Sequence, residues 1–566
     1  MSDQRSDRET DQGILSSSAV MAAGTVVSRL SGFVRSALLI AALGAGLHGE
    51  LFNVANTVPN MLYILLAGGV FNAVLVPQLV RAMKNDVDGG AAYTDRVVTL
   101  AAAFLAVVTV VLVVAAPWVM QVFLSEEFDR PELAAHVESI EDFARWCLPQ
   151  VFFYGMFVLV GQVLNARGRF GPMMWAPIAN NLIAVATLAT YLLVFGAADP
   201  QERGGAFTSS QEALLGLGST LGILAQLLVL LPYLRRAGFH YRPRFDLRDS
   251  GLGHTLRLGV WTLLFVLVNQ VAYAVVVKLA TSGPAETLGN EPDATGYLVY
   301  SSTFLIVMVP HSVVTVSLAT AVLPRMAQLA SDGDHAELAR TLLVALRSAL
   351  AVIVPFALLL PLVARDTAHV IWGYGAGAAD YENFAPSLAL FGIGLVFFTV
   401  HYLMLRGFYA LEQTRTVFWI QCVIAAVNIT AAVLLVRAAT AEQTSPALVL
   451  AYAAAYLVGA GISSVALWRR LPGAASAARG LPQFVARLVV AALLAAAAAY
   501  AVRSLLGGLG ADPGLAVALL RALAVTVVDV AAFVVLARLF RLAEVTGVLD
   551  TVLRRLPSGR GRGDLP

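Results

Sequence analysis

Apolar runs of about 20 residues recur from one end of the chain to the other, each long enough to cross a hydrocarbon core roughly 30 Å thick. About fourteen can be read, starting near residues 17, 50, 96, 142, 172, 212, 255, 297, 339, 384, 416, 446, 484 and 514. They are built from Ala, Leu and Val and lack the period-2 alternation of a membrane barrel strand, so they predict α-helices. The fold class this pattern implies is an all-α integral membrane protein.

Composition sharpens the picture. Of the 566 residues 58% are hydrophobic and only 13% are charged, about half the roughly 25% of a soluble globular protein. A soluble chain of this length would divide into several charge-wrapped domains. The charges sit between the apolar runs, and every second loop is basic. Arg81, Lys84 and Arg96 follow the second run, Arg167 and Arg169 the fourth, and Arg235, Arg236, Arg242, Arg244 and Arg248 the sixth. Arg325 and Arg340, then Arg415, then Arg469, Arg470 and Arg479 continue the series into a tail holding Arg554, Arg555, Arg560 and Arg562. The intervening loops are acidic or neutral, with Glu126, Glu127, Asp129, Glu132, Glu138, Glu141 and Asp142 after the third run and Glu286, Glu291 and Asp293 after the seventh. Because basic loops stay inside, both termini are expected in the cytoplasm, which requires an even number of spans. The opening MSDQRSDRETDQG has no apolar h-region or small-residue cleavage site, so no removable signal peptide is expected.

An internal repeat is visible in the turns. LNARGRFGPMMWAPIANN after span 4 resembles FYALEQTRTVFWIQCVIAAVN after span 10, pairing Ala166 with Ala410 and Trp175 with Trp419 at one offset. VFNAVLVPQLVRAM likewise resembles LATAVLPRMAQLA, with Pro77 opposite Pro324. An even number of spans separates equivalent positions, so the halves are expected to be parallel repeats about an axis along the membrane normal. The expected organisation is a cytoplasmic tail over 1–16, an N-lobe over 17–238 (spans 1 to 6), a C-lobe over 239–472 (spans 7 to 12), spans 13 and 14 over 473–541, and a basic cytoplasmic tail over 542–566. The two six-helix lobes would flank a central cavity.

Polar residues inside apolar spans are the functional candidates, since an intramembrane charge costs several kcal/mol without a cavity or partner. Span 1 carries Arg29 and Arg35 and no acid. On a helix they lie roughly 120° and about 9 Å apart. Unpaired guanidinium forks at membrane depth suit a phosphate or pyrophosphate; the bland alternative is pairing with Glu50 or with backbone carbonyls. Span 2 opens with a polar stripe, Glu50, Asn53, Thr57 and Asn60, on one helix face, which either meets cargo or glues helices. Pro59 and Gly68-Gly69 predict a bend in the same span. Cavity or gate candidates are Asn269, Gln270 and Lys278 in span 7, His311 in span 8, and Arg406 with His401 in span 10. Asp529 in span 14 is a buried acid that Arg521, eight residues away on the same helix, only partly serves. Cys147 and Cys422 read as small buried hydrophobes rather than a disulfide or metal site. No zinc-protease HExxH, Walker loop or GxSxG elbow is present. Transport without an ATPase therefore leaves an ion gradient, the membrane potential or the cargo gradient as its drive. No cofactor or metal is expected, and a coupling cation is the one small partner left open.

The segments SRLSGFVRSALLIAALGAG, ELFNVANTVPNMLYILLAGGVFNAVLVPQLVRA, LNARGRFGPMMWAPIANN and LRGFYALEQTRT resemble the MurJ (MviN) lipid II flippases. These belong to the superfamily of multidrug exporters and polysaccharide flippases. The resemblance runs from span 1 through span 12. It implies a transporter that moves undecaprenyl-pyrophosphate-linked disaccharide-peptide from the inner to the outer leaflet of the bacterial plasma membrane by alternating access, for cell wall synthesis. Membrane lipids and cell wall synthesis proteins are its expected partners, and nucleic acid is not. Arg29 and Arg35 match the family's two span 1 arginines, and Glu50 stands where an Asp is usual. The chain departs from the pattern in span 2, where Tyr63 and Ile64 replace an arginine pair, and in span 8, where Phe304 and Leu305 replace Asp-Arg. Two alternatives fit the same spans: an ion-coupled drug exporter or polysaccharide-lipid flippase, and an integral-membrane enzyme acting on polyprenyl-linked sugars.

Overall fold

The computed structural model describes residues 24, 27–65, 82, 90–245, 252–289, 291, 293–472, 478–507 and 514–545. Gly68-Gly69, Pro77, Arg81, Lys84, Arg248 and both expected tails, up to residue 16 and beyond 545, lie outside the described residues. Among the described residues the regular structure is helical, with no strand.

Two helices open the chain, α1 (27–43 as described) and α2 (Leu47–Leu65). After them come α3 (Ala91–Val114), α4 (Ala134–Cys147), α5 (Gln150–Ala166), α6 (Gly171–Val194), α7 (Ser209–Arg236) and α8 (Leu252–Ala280). The chain continues through α9 (Tyr297–Pro310), α10 (Val316–Ser331), α11 (His335–Trp372), α12 (Phe384–Ala410), α13 (Thr414–Ala438), α14 (Thr444–Trp468), α15 (Leu481–Leu506) and α16 (Leu515–Leu539). Among the described residues, 12 helical segments are long and apolar enough to cross a membrane, α4 with α5 and α9 with α10 each counting as one. They occupy the positions read for spans 3 to 14, and α1 and α2 occupy those of spans 1 and 2. The polar stripe of α2 keeps that helix off the apolar count. Outward apolar side chains such as Leu193 (87% exposed) and Leu505 (82%) leave faces that only a lipid solvent accommodates.

Local sequence sets the breaks. Pro149 separates α4 from α5. Pro310 ends α9 and a π-turn, His311–Thr315, carries the chain into α10, as expected where a proline removes a helix donor. Thr208 and Gln211 form a capping box at the start of α7, satisfying orphan N–H groups there.

The chain forms two compact units. The first holds residues up to 302 with 371–383 and 421–451; the second holds 303–370, 384–420 and 452 onward. The first therefore includes α8 and the start of α9, beyond the N-lobe read at 17–238, and specific bonds account for that. Gln270 Nε2 of α8 donates to the Met61 carbonyl of α2 at 2.6 Å. Glu50 of α2 accepts the backbone N–H groups of Tyr297 and Leu298 at 2.6 and 2.7 Å.

In the first unit α7 packs closely on α6 because it carries glycines on that side. A Cβ on Gly218 would strike Thr187, and one on Gly222 would strike Asn180 Oδ1. This is the small-xxx-small spacing by which membrane helices approach each other. Beneath it Leu105, Leu159, Leu164 and Leu230 are fully enclosed in one core. The loop 371–383 is tied into this unit by Asp380, which accepts the Ala45 N–H at 2.9 Å and pairs with Arg203 at 2.7 Å. Burial raises the Asp380 carboxyl above its usual range, against the lowering effects of the Ala45 N–H and Arg203.

In the second unit α15 and α16 form a pair that meets α11 through Leu359, Val363, Ala499 and Val525. Arg521 of α16 binds Asp366 of α11 with Nε at 2.8 Å and a second guanidinium nitrogen on the other carboxylate oxygen. The partner of Arg521 is thus Asp366, not Asp529. Cys147 is buried and Cys422 half-buried, both free thiols.

Candidate functional site

Asn181 of α6 fixes the rotation of α1. Its Nδ2 donates to the Ser28 carbonyl at 3.0 Å and to Ser31 Oγ at 2.8 Å. Ser28, Ser31 and Arg35 follow helical spacing and share one face, so the bond that holds the two serines turns Arg35 inward. Arg35 lines a cavity of about 40 Å³. Its other polar walls are Asn53 and Asn56 from α2, Gln150 and Tyr154 from α5, Asn180 and Thr187 from α6, and Ser219 from α7. Gln150 Nε2 donates to Asn56 Oδ1 at 3.0 Å and Asn53 Nδ2 to Ser301 Oγ at 3.1 Å. Arg35 forms no ion pair or hydrogen bond among the described residues.

A half-buried guanidinium ringed by amides and hydroxyls, with no carboxylate among the described wall residues, has donor chemistry that suits an anion. The cavity volume admits water-sized species only.

The residues proposed from sequence divide here. Arg35 and Asn53 come together in the cavity; Arg29 lies on another face of α1 and does not line it. Glu50 is 1% exposed, with both oxygens spent on the first turn of α9. It is a helix cap rather than a cavity wall. Thr57 donates to the Asn53 carbonyl at 2.8 Å, steadying α2 from within, and Asn60 is half-buried off the cavity. Asn269 is exposed and accepts from Gln421 at 3.2 Å, Gln270 ties α8 to α2, and Lys278 is half-buried near the end of α8.

In the second unit His311 is buried. Its Nδ1 lies 3.1 Å from Thr399 Oγ1, and its ring packs on Phe398 and Tyr402. Arg406 lies over Tyr402 at 4.2 Å and near Tyr409 at 5.6 Å. His401 meets Ser463 at 3.2 Å. These form an aromatic packing cluster with satisfied imidazoles. Among the described residues no group of His, Cys, Asp and Glu is placed to hold a metal ion.

Asn56, Gln150, Tyr154, Asn180, Thr187 and Ser219 are cavity residues that sequence reasoning passed over. Asn56 had a signal, since Asn53, Asn56 and Asn60 share a helical spacing as good as the stripe chosen. The others are single polar residues in separate spans, and only packing unites them. The two departures from the family pattern are filled by aromatics. Tyr63 stacks on Tyr154 at 4.7 Å, and Phe304 packs against Phe391 and Tyr452 at 5.6 and 5.8 Å.

The family model described as lipid II flippase MurJ matches residues 39–512. The chain belongs to the MurJ family. It is 28% identical over 399 residues to the lipid II flippase MurJ of Burkholderia cenocepacia, covering 69% of this chain and 72% of that protein. It is 25% identical to the probable lipid II flippase MurJ of Rhizobium meliloti, covering 85% of each. In fold the chain is similar to a lipid II flippase MurJ solved in an inward closed conformation, with TM-score 0.67 and 13% identity over 92% of this chain and 98% of that one. It is also similar to an inward-facing multidrug resistance MATE family transporter, with TM-score 0.60 and 16% identity over 78% and 94%. The MurJ match begins downstream of Arg29 and Arg35, so the case for Arg35 rests on the cavity.

Proposed function

We propose that this protein is a flippase that carries lipid II from the inner to the outer leaflet of the bacterial plasma membrane, with Arg35 holding the pyrophosphate. The observation that carries the residue assignment is an intramembrane arginine with no counter-ion among the described residues, facing a wall of neutral donors and acceptors. Such a charge is costly unless an anion shares the site, and the guanidinium fork matches phosphate oxygens. Arg29, roughly 9 Å toward the helix start, would meet the headgroup first as it arrives from the cytoplasm. The headgroup crosses on this polar path because it cannot cross hydrocarbon unaided, while the prenyl tail stays in lipid along spans 13 and 14. Rocking of two repeated lobes would expose the site to each side in turn, and no catalytic step is needed.

The exporter fold favours a second reading as a drug carrier. A cationic cavity with no carboxylate among its described lining residues repels the cationic substrates such a carrier would take, so the anionic cargo is preferred. The test is depletion of the protein in its own cell, complementation with Arg35→Ala or Arg35→Lys, and a leaflet-resolved assay of lipid-linked precursor. The proposal expects precursor trapped in the inner leaflet with Ala and partial relief with Lys, at normal protein levels. Normal outer-leaflet precursor with Ala at normal expression would overturn it.

A further inference from the structure

The second unit holds a cavity of about 530 Å³ between α9, α11 and α16. That is within the range of small-molecule sites, about 300–1,000 Å³. Its walls are apolar, with Pro355, Phe356, Leu359 and Val363 on α11 facing Phe533 on α16. Val352 and Val530 at its margin are 38% and 52% exposed, so it opens on the lipid side.

Two carboxylates line the cavity, Asp529 and Glu544, and Glu544 is paired with Arg347. Asp529, near the middle of α16, is 3% exposed and lines the cavity. It has no hydrogen bond or ion pair among the described residues. The nearby cations are engaged by other acids: Arg521 by Asp366, and Arg347 by Glu544 at 3.8 Å. Thr526, Thr367 and Ser348 add hydroxyls to the lining. Thr526, Asp529 and Phe533 lie on one face of α16 by helical spacing.

A carboxylate without a counter-ion in an apolar membrane cavity is either neutralised by a proton or matched by a cation. The room beside Asp529 far exceeds a proton's needs. We infer that this cavity is a binding site for a lipophilic primary ammonium, which enters from the bilayer, sets its charge on Asp529 and lays its apolar body against α11 and Phe533. An ammonium brings three donors and no acceptor, which suits the Asp529 carboxylate and the lining hydroxyls. Anionic ligands are repelled by the same group. The site is in a different unit from Arg35 and does not depend on the flippase assignment.

The test uses the full chain in phosphatidylcholine nanodiscs with radiolabelled 4-phenylbutylamine, and the uncharged 4-phenylbutanol as comparison. Uptake by empty nanodiscs is subtracted. Saturable amine binding is expected, with Asp529→Asn weakening it about thirtyfold or more, as loss of a buried charge partner implies. Asp529→Glu should retain saturable binding, and the alcohol should show none. Equal amine binding by the Asn variant, equally saturable binding of the alcohol, or no saturable amine binding by the folded wild type would each overturn the inference. The amine-against-alcohol comparison on wild type decides the charge requirement even if the Asn variant fails to fold.

Discussion

Asn181 donates to Ser31 Oγ at 2.8 Å, and that bond sets the direction in which α1 presents Arg35. Asn181→Leu keeps the approximate volume and removes this bond together with the one to the Ser28 carbonyl. The stability loss should be about 1–2 kcal/mol. The loss of precursor translocation should be larger than that stability change explains, because α1 is then free to turn Arg35 out of the cavity. Thermal midpoint and translocation per folded molecule, measured side by side, check this; unchanged translocation per folded molecule would make Asn181 a packing residue only.

Glu50 should behave in the opposite way. Its carboxylate caps the Tyr297 and Leu298 N–H groups and it is enclosed. Glu50→Ala leaves two buried donors unpaired, at about 1–3 kcal/mol each. The folded yield and thermal midpoint should fall, while translocation per folded molecule stays near wild type. A Glu50→Ala protein of normal stability that no longer translocates would contradict the capping role.

Gly222 gives Asn180 the space in which its side chain reaches the cavity. Gly222→Val should cost about 1–3 kcal/mol by overpacking and should displace Asn180. Gly168, whose added Cβ would meet nothing within 4 Å but whose φ is +74°, tests a different cost: Gly168→Ala should lose only about 1 kcal/mol of backbone strain. Denaturation in mild detergent separates the two. Equal losses at both positions would argue against close α6–α7 packing.

The spans were legible in the sequence because hydrocarbon imposes a length and a composition on every helix that crosses it. Arg35 and the Asn53 face were legible for the related reason that polarity is rare there and each instance stands out. Glu50 was misleading as a cargo residue, since a carboxylate at a span's opening looks alike whether it meets cargo or caps a distant helix start. The partner of Arg521 was hidden too. Asp366 lies more than 150 positions away in sequence, at 2.8 Å in space, and no helical periodicity links residues on different helices. Asn180 and Ser219 were unreadable for the same reason, being lone polar residues that α6–α7 packing brings to one cavity.

The buried Arg521–Asp366 pair holds α16 to α11. Asp366→Leu and Arg521→Leu should each destabilise the protein by about 3–5 kcal/mol by leaving one buried charge uncompensated. The double variant Asp366→Leu, Arg521→Leu should recover most of that loss. Thermal unfolding of the four proteins in one detergent gives the coupling; simple additivity of the two single changes would contradict the pairing.

The central claim is that Arg35 binds the pyrophosphate, and equilibrium binding of purified lipid II to the protein in nanodiscs tests it most directly. A charge-assisted bidentate contact contributes about 1.5–3 kcal/mol, so Arg35→Ala should weaken binding by about tenfold to a hundredfold. Arg35→Lys should fall between Ala and wild type, because it keeps the charge and loses the fork. Undecaprenol, which has the tail and no phosphate, should bind all three proteins alike. Lipid II affinity unchanged in the Ala variant, or a loss shared equally by undecaprenol, would contradict the account.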